Sequence, residues 1–328
     1  MKKAIISVTF LLALMVSVNG QELPKFSQFY RSMVISNPSV TGIDDFLDIK
    51  LGYRDQWSGI EGSPRTFFAS FNANLNSLKN AYALRTGNPN NPAVKSKVLS
   101  KNGLGIIFLA DIYGPAKQTI FMINYAQHYK LSSKVFFSLG LSAGINNLSF
   151  DEKLLNVNDP DPYYENFIHN ARSSYYFDAS AGASIYSDKF YFGYAVNHLL
   201  ENKASFNDNP YGDFYKMHHN FYAGLNLKAS SQLHFLPGLM IRYIKDTPLE
   251  FDASIRARFK DFFVLGVTYK DGQVIGAMVG LILNNYVNFS YSYDYSFSKL
   301  RYYNKGTHEV VLGINLMNFK KEPSKFIW

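Results

Sequence analysis

Aromatic and small polar residues alternate along residues 286–297, YVNFSYSYDYSF. Successive side chains of a β-strand point to opposite faces, so one face of this strand carries an almost continuous row of aromatic rings and the other carries only Asn, Ser and Asp. A soluble β-sandwich also alternates. A face this aromatic, in a chain that reads as strand throughout, is more typical of a barrel wall with lipid on one side and a polar lumen on the other.

The same alternation predicts fourteen strands, an even number as in bacterial single-chain barrels. We expect them at residues 47–53, 66–75, 102–112, 117–131, 134–149, 174–186, 189–199, 217–228, 233–244, 249–259, 262–270, 273–284, 286–297 and 308–317. Tight connections near residues 132, 187, 230 and 261 alternate with long ones at 150–173, 200–216 and 298–307, and the long connection 76–101 is an exception. The predicted fold class is therefore all-β, a transmembrane antiparallel β-barrel of about 14 strands with a polar lumen.

Charged residues of both signs fall on the predicted lumen face. The clearest strand is 249–259, where Leu, Phe, Ala and Ile occupy one face and Glu, Asp, Ser and Arg the other. The candidate lumen charge network comprises Asp178, Arg242, Glu250, Asp252, Arg256, Arg258, Asp294 and Glu309. Two interpretations compete, a transport path for solutes or a mutually neutralised network that rigidifies the barrel. Mixed signs favour the network, because a selective pore usually shows a ring of one sign.

Composition and the N-terminus agree with an exported barrel. The chain has 24 Tyr and 28 Phe, yet its mean hydropathy of -0.12 excludes a bundle of transmembrane helices. One continuous apolar run, residues 4–18, follows Lys2 and Lys3 and ends near Gly20, which predicts a Sec signal peptide cleaved before Gln21. A membrane anchor is the alternative, but a spanning helix needs roughly 20 apolar residues. The chain contains no cysteine, which excludes lipoprotein anchoring, disulfides and thiolate metal sites.

The formal charge of +8 would suit nucleic acid or acidic lipid headgroups. The densest basic stretch, at Lys95, Lys97 and Lys101, lies in a loop rich in Pro and Asn, where a solvated surface is expected. We therefore expect outer-membrane lipid, and no nucleic acid, among the partners.

The sequence offers little for catalysis or metal binding. Among seven histidines the one adjacent pair is His218 and His219, which point to opposite faces of a strand and cannot readily chelate one ion. Hairpin pairing would bring His128 and Ser138 together, as a lipid hydrolase requires, but no nucleophile motif accompanies them. The acidic run 159–166 lacks the spacing of a recognised calcium loop. We expect no enzymatic activity, cofactor or metal.

Several segments together resemble a known family. Residues 26–42, FSQFYRSMVISNPSVTG, look like an opening motif that ends in an NPAYAG-like turn, with Val40 replacing the usual aromatic residue. Residues 51–72, LGYRDQWSGIEGSPRTFFASFN, look like a YRxQWxGxxGxPxT signature, and further matches occur at 103–115, 185–200 and 291–313. On these residues the chain resembles the PorP/SprF family of outer-membrane proteins of the type IX secretion system of Bacteroidetes.

The resemblance implies a barrel without enzymatic activity that works with the gliding and secretion machinery. Members are thought to support secretion or surface attachment of large adhesins bearing a type B C-terminal signal. Some associate with the periplasmic ring of the secretion apparatus. The resemblance therefore implies type IX secretion components and a secreted adhesin as partners.

The signature after the first strand is the candidate partner-docking or lumen-plug motif. It comprises Tyr53, Arg54, Gln56, Trp57, Gly59, Gly62 and Pro64. An exposed aromatic and guanidinium pair would suit a docking surface. The alternative is a loop folded into the lumen, with Arg54 paired to an inner carboxylate and Trp57 packed as a plug.

The expected organisation has four parts. A signal peptide occupies residues 1–20, an N-terminal periplasmic or lumenal segment 21–46, the outer-membrane β-barrel 47–317 and a periplasmic tail 318–328. The predicted function is a secretion accessory that acts through protein contacts. An outer-membrane porin or solute channel is the alternative, and a barrel hydrolase is a third candidate.

Overall fold

A computed structural model of the protein describes residues 25–76, 100–151, 154, 173–201, 216–271, 274–284 and 286–318. The predicted signal peptide, the interior of the 76–101 connection, the acidic run 159–166 and nearly all of the predicted tail lie outside the described residues. Within those ranges, no helix has the length and apolarity that a membrane crossing requires.

Fifteen β-strands form one antiparallel sheet. They are β1 Leu47–Asp55, β2 Arg65–Asn74, β3 Ser100–Tyr113, β4 Ala116–Lys130, β5 Phe136–Phe150, β6 Ser173–Tyr186, β7 Phe190–Asn197, β8 His218–Leu225, β9 Leu227–Lys228, β10 Leu233–Ile244, β11 Glu250–Phe259, β12 Phe263–Lys270, β13 Val274–Leu283, β14 Val287–Ser296 and β15 Thr307–Leu316. Pairing of β15 with β1 and of β10 with β11 closes the sheet into a barrel.

The short strand β9 continues β8, so the two count as one strand of the wall and the barrel has fourteen strands. Both strands pair with β10 in one register, His234 opposite Lys228 and Gly238 opposite Gly224. The ladder of these two strands with β10 is interrupted between Phe235 and Gly238. Pro237 lies in this gap and has no N–H to donate. The predicted count of fourteen strands is confirmed.

The two faces of the wall separate as the alternation predicted. On β14, Phe289 is 40% exposed on the outer face, whereas the inward Ser290 is fully buried. On β11, Phe251 and Ile255 are exposed, while Asp252 lies on the inner face and is buried. The outer surface is therefore an apolar and aromatic band suited to lipid.

The two ends of the barrel differ in their connections. One end, here the turn end, carries the tight turns 131–135, 187–189, 229–232 and 260–262. The opposite end, here the loop end, carries 56–64, 245–249 and 297–306 together with the connections 151–172 and 198–217, and also the short connections 114–115 and 271–273. In outer-membrane barrels short turns face the periplasm and long loops face outward. The long connection between β2 and β3 leaves from the turn end, as the strand count predicted.

The segment before β1 runs through the lumen. Residues 25–46, here the plug, contain a one-turn helix α1, Met33–Ser36, and a 3-10 turn, Pro38–Val40. Lys25 pairs with Glu250 at the loop end, and Asp45 pairs with Lys101 at the turn end. Between these points apolar plug side chains pack against inward residues of the wall. One cluster joins Phe29, Tyr30, Met33 and Ile43 to Tyr186, Tyr191, Tyr222, Met240, Val264 and Met278.

Candidate functional site: the lumenal plug and its vestibule

Two carboxylates of the wall hold the start of the plug. Glu309 accepts the backbone amides of Ser27 at 2.6 Å and Gln28 at 3.0 Å, and Arg54 donates to the same carboxylate at 3.0 Å. Glu309 is 1% exposed. A carboxylate with three donors, one of them a guanidinium, is well compensated for its burial.

Asp294 is the second carboxylate. It accepts from the Ser27 hydroxyl at 2.6 Å and from Lys270 at 2.9 Å, and Arg54 lies 3.5 Å away. Asp294 and its two cationic partners are all buried. We call Ser27, Gln28, Arg54, Lys270, Asp294 and Glu309 the clasp. Its two cations and two anions balance in charge, which a buried ionic cluster requires.

Strand register explains why the clasp forms. Arg54 on β1 and Glu309 on β15 are direct cross-strand partners, and Glu309 is in turn opposite Ser292 on β14. All three side chains point inward because they share the lumen-facing parity of their strands. Asp294 lies two residues beyond Ser292 on the same face. The chain therefore brings its signature arginine and two distant carboxylates to one patch of the inner wall.

Below the clasp, Arg31 and Tyr30 extend the attachment. Arg31 donates to the hydroxyl of Ser290 at 2.6 Å and to the amide oxygen of Asn288. The guanidinium of Arg256 lies 3.6 Å from the ring centroid of Tyr30, a cation–π contact shielded from water. Arg256 therefore supports the plug by stacking on the ring of Tyr30.

Near the turn end the plug lies against inward glycines. Asn37 caps the 3-10 turn by accepting the Ser39 amide, and it donates to the hydroxyl of Tyr191 at 2.8 Å. A Cβ at Gly140 or Gly182 would overlap the plug at residues 37–39. A Cβ at Gly103 would overlap the carbonyl of Thr41. We call Gly103, Gly140 and Gly182 the glycine wall, because the missing side chains let the plug lie directly against the strands.

The two residues of the hydrolase alternative belong to this same attachment. His128 and Ser138 are cross-strand partners, as hairpin pairing suggested. His128 contacts the Thr41 carbonyl at 2.8 Å and the Tyr186 hydroxyl at 2.8 Å. Ser138 donates to the Ser39 carbonyl at 2.6 Å. Both polar groups hold the plug, and they make no bond to each other in these contacts.

A cavity of about 460 Å³ opens above the clasp at the loop end. We call this cavity the vestibule. Its described lining comprises Lys25, Arg54, Gln56, Trp57, Pro64, Thr66, Asp111, Tyr113, Gln118, His218, Glu250, Asp252, Lys270, Asp271, Val274, Asp294, Ser296, Asn304, Gly306 and Thr307. The clasp forms its floor, so the plug separates the vestibule from the turn end.

The candidate docking motif divides between three places. Tyr53 is 48% exposed on the outer face, and Arg54 is buried in the clasp. Gln56, Trp57 and Pro64 line the vestibule. The motif thus joins the floor of the vestibule to its rim.

Backbone conformation accounts for the glycines of that motif. Gly59 has φ of 94° and Gly62 has φ of 72°, values in the left-handed region that side chains disfavour. Trp57 also has a positive φ of 54°, and its amide donates to the Thr307 hydroxyl at 3.1 Å. These turns fold the loop 56–64 over the barrel mouth, where Trp57 faces the cavity.

The other candidate network residues form separate small groups. Arg242 lies 3.5 Å from Glu250, which also binds Lys25 at 2.5 Å. Asp178 contacts His198 at 2.6 Å instead of an arginine.

Two further candidates lie apart from both groups. Arg258 pairs at 3.0 Å with Asp261 in a tight turn, at the opposite end from the clasp. Asp252 lies beside the vestibule without an ion-pair partner among the described residues. The inner face therefore holds several distinct clusters of charge.

Sequence reasoning did not assign a role to Lys270, Ser27 or Gln28. Lys270 ends a predicted strand on the same face as Asp252, so side-chain parity alone could have added it to the network. Ser27 and Gln28 lie within the opening motif, but no periodic signal marks the contact of residue 27 with residue 309.

Comparison with known proteins identifies the family of this chain. The model of the family described as type IX secretion system membrane protein PorP/SprF matches residues 18–314. The chain belongs to the PorP/SprF family. Its barrel fold and the family's description as a membrane protein of that secretion system indicate an outer-membrane protein. No curated protein matches the chain.

Solved structures similar to this chain are bacterial barrels of low sequence identity. The Ralstonia pickettii toluene transporter TbuX shares 8% identity, with a TM-score of 0.49 over 87% of this chain and 93% of that chain. A Pseudomonas aeruginosa FadL homologue shares 10% identity, with a TM-score of 0.42 over 87% of this chain and 93% of that chain.

Proposed function

We propose that the protein is a non-enzymatic accessory of type IX secretion that supports the secretion or surface anchoring of large adhesins through protein contacts. The observation that carries this proposal is the plug. Residues 25–46 occupy the lumen from the loop end to the turn end. Hydrogen bonds to two buried carboxylates, an ion pair at the turn end and close packing against inward glycines fix them there. A barrel built in this way suits a rigid docking platform better than an open path for solutes.

The vestibule is the proposed docking site for the secreted partner. It presents Trp57 and Tyr113 beside charged groups, and buried aromatic and charged anchors are the residues that dominate protein interfaces. The loop 56–64 supplies one wall, which gives the signature motif a role in both the clasp and the contact. The proposed partners are an adhesin with a type B C-terminal signal at the loop end and type IX components, including the periplasmic ring, at the turn end.

Affinity purification from the native membrane in mild detergent, followed by mass spectrometry, tests the proposal. We expect type IX components or a large adhesin to remain bound to the tagged barrel. The variant Trp57→Ala is expected to lose the loop-end partner and to retain components bound at the turn end. Repeated isolation of the barrel alone, with chemical crosslinking applied before extraction, would reject the accessory function.

A disulfide lock separates the accessory function from a solute channel. The hydroxyls of Ser39 in the plug and Ser184 in β6 lie 2.8 Å apart, and the chain has no other cysteine to interfere. In the double variant Ser39→Cys/Ser184→Cys, we expect oxidised and reduced barrels to show equally low conductance in planar bilayers and equal partner recovery. Steady conductance of the wild type and of the reduced double variant, lost when the double variant is oxidised, would support the channel instead.

A further inference from the structure

Carboxylates outnumber cationic side chains in the described lining of the vestibule. The five carboxylates are Asp111, Glu250, Asp252, Asp271 and Asp294, against the three cations Lys25, Arg54 and Lys270. Glu250 and Asp294 have close cationic partners, at 2.5 Å and 2.9 Å. The cavity therefore has an excess of negative charge, which favours a positively charged occupant.

Asp252 is the carboxylate that this arrangement leaves without a donor. The residue is 6% exposed and points inward from β11 into the vestibule lining. Its Oδ2 is buried and has no hydrogen-bond partner within the described ranges. Its cross-strand partner Lys270 directs its ammonium to Asp294 at 2.9 Å and to Ser27 at 3.3 Å. A buried carboxylate without donors is costly, so its retention calls for an explanation.

A second buried polar atom lines the same cavity. His218 on β8 is 3% exposed, and within the described ranges its Nδ1 has no hydrogen-bond partner. Trp57 and Tyr113 add aromatic surface to the lining. Carboxylates and aromatic rings are the groups that bind a guanidinium or ammonium, through charge-assisted hydrogen bonds and cation–π contact, and this cavity is lined by both.

We propose that the vestibule is a binding site for a basic side chain of a polypeptide, with Asp252 as its carboxylate acceptor. The identity of the ligand as a polypeptide rests on the proposed docking function, whereas the cation-binding chemistry rests on the cavity itself. Arginine is the better fit, because its planar guanidinium presents several donors to a carboxylate and stacks on aromatic rings. The volume of about 460 Å³ leaves room for such a side chain together with water.

Tryptophan fluorescence gives a direct readout. The chain has two tryptophans, and Trp328→Phe leaves Trp57, which lines the vestibule, as the sole tryptophan, whose emission is excited selectively over that of tyrosine. The folded mature barrel in detergent is titrated with butylguanidinium and, as a neutral probe of the same shape, with N-butylurea. We expect a saturable change with butylguanidinium and about tenfold or more weaker binding of the urea. Equal responses to the two probes would overturn the proposal.

Matched variants identify the acceptor. Asp252→Asn is expected to weaken butylguanidinium binding about tenfold or more, and Asp252→Glu is expected to retain most of it. The control is Asp246→Asn, the same change at an exposed residue of the loop 245–249 outside the cavity lining. It is expected to bind as the wild type does. If Asp252→Asn bound butylguanidinium with wild-type affinity, Asp252 would not be the acceptor.

The stability of the unliganded barrel provides a second test. If Asp252 serves a ligand, removing its buried charge should leave the urea unfolding midpoint unchanged or raise it. If Asp252 instead serves only as a counter-charge for nearby cations of the wall, the Asp252→Asn midpoint should fall. A lower midpoint together with unchanged probe binding would overturn the proposal.

Peptides distinguish a polypeptide side chain from a small free cation. Gly-Arg-Gly is compared with Gly-citrulline-Gly, which keeps the shape of arginine and lacks its charge. We expect selective binding of the arginine peptide. Binding of butylguanidinium without binding of Gly-Arg-Gly would reject the polypeptide ligand. If no partner co-purified with the barrel from the native membrane but Gly-Arg-Gly still bound, the docking function would be rejected and the cation-binding site would be retained.

Discussion

The plug is held in two chemically different ways at its two ends. At the loop end, charged groups of the clasp bind Ser27 and Gln28 through hydrogen bonds of 2.6–3.0 Å. At the turn end, the glycine wall meets residues 37–41 so closely that a Cβ at any of its three positions would overlap the plug, at backbone atoms for Gly103 and Gly140 and at the Asn37 side chain for Gly182. One attachment depends on charge balance, and the other depends on the absence of side chains.

The two attachments of the plug should therefore be disrupted by different kinds of substitution. A buried ionic cluster is destabilised when one charge is removed, because the opposite charge stays buried without a partner. A backbone contact fails when volume is added, because neither backbone has a rotamer that can move aside. The same plug therefore has one end that is sensitive to charge and one that is sensitive to size.

Removal of the clasp arginine is expected to have the largest effect. Arg54→Met leaves Glu309 and Asp294 with Lys270 as the remaining clasp cation, and we expect the free energy of unfolding to fall by about 3–5 kcal/mol. This loss is measured by urea unfolding in detergent, with the folded fraction at each urea concentration read from the different gel mobilities of folded and unfolded barrels. Arg54→Lys, which keeps the charge, should lose less. An unchanged midpoint in Arg54→Met would show that the clasp does not hold the plug.

Added volume at the glycine wall is expected to rank second. Gly103→Ala places a methyl group against the Thr41 carbonyl, and we expect a loss of about 1–3 kcal/mol and faster thiol labelling of a cysteine introduced at the buried Ser32. The control is Gly224→Ala, another inward glycine, where the nearest atom to the new methyl lies at 3.7 Å. Equal effects of the two substitutions would contradict a specific close contact at Gly103.

The barrel wall was largely predictable from the sequence, whereas the plug was not. Alternation along residues such as Phe289 and Ser290 reports a strand and its two faces, because the side-chain period of a strand is two. The same parity places Arg54, Asp294 and Glu309 inside. Each of these inferences needs only residues of one strand.

The candidate site required information that no single strand contains. Ser27 meets Asp294 and Glu309 across more than 260 residues of sequence, and the plug has no regular period to reveal which of its sides faces which strand. The glycines of the wall look like ordinary weak points of a strand until the plug lies against them. Which charged side chains pair inside the barrel also depends on the direction of each side chain. Lys270 lies opposite Asp252 in the strand register, but its ammonium pairs with Asp294.

A smaller effect is expected at Ser27, one of the two uncharged residues of the clasp. The Ser27 hydroxyl bridges Arg54 and Asp294, at 2.5 Å and 2.6 Å. Ser27→Ala keeps every charge of the clasp, so we expect a loss of about 1–2 kcal/mol in the free energy of unfolding. Ser32→Ala is the control, because its hydroxyl makes a long contact of 3.5 Å to the Phe29 carbonyl. A loss in Ser27→Ala as large as that in Arg54→Met would mean that hydrogen bonding outweighs charge balance in the clasp.

The smallest effect is expected at the exposed ion pair just above the clasp. Lys25 and Glu250 lie 2.5 Å apart, but their side chains are 37% and 24% exposed, so water and salt screen the pair. We expect Lys25→Met to cost about 0.5 kcal/mol at low salt, and nothing measurable in 1 M NaCl. Most of the loss in Arg54→Met should persist in 1 M NaCl, because the clasp charges are buried and salt screens buried pairs much less than exposed ones. If salt reduced both losses equally, the clasp would have to be as open to solvent as the Lys25–Glu250 pair.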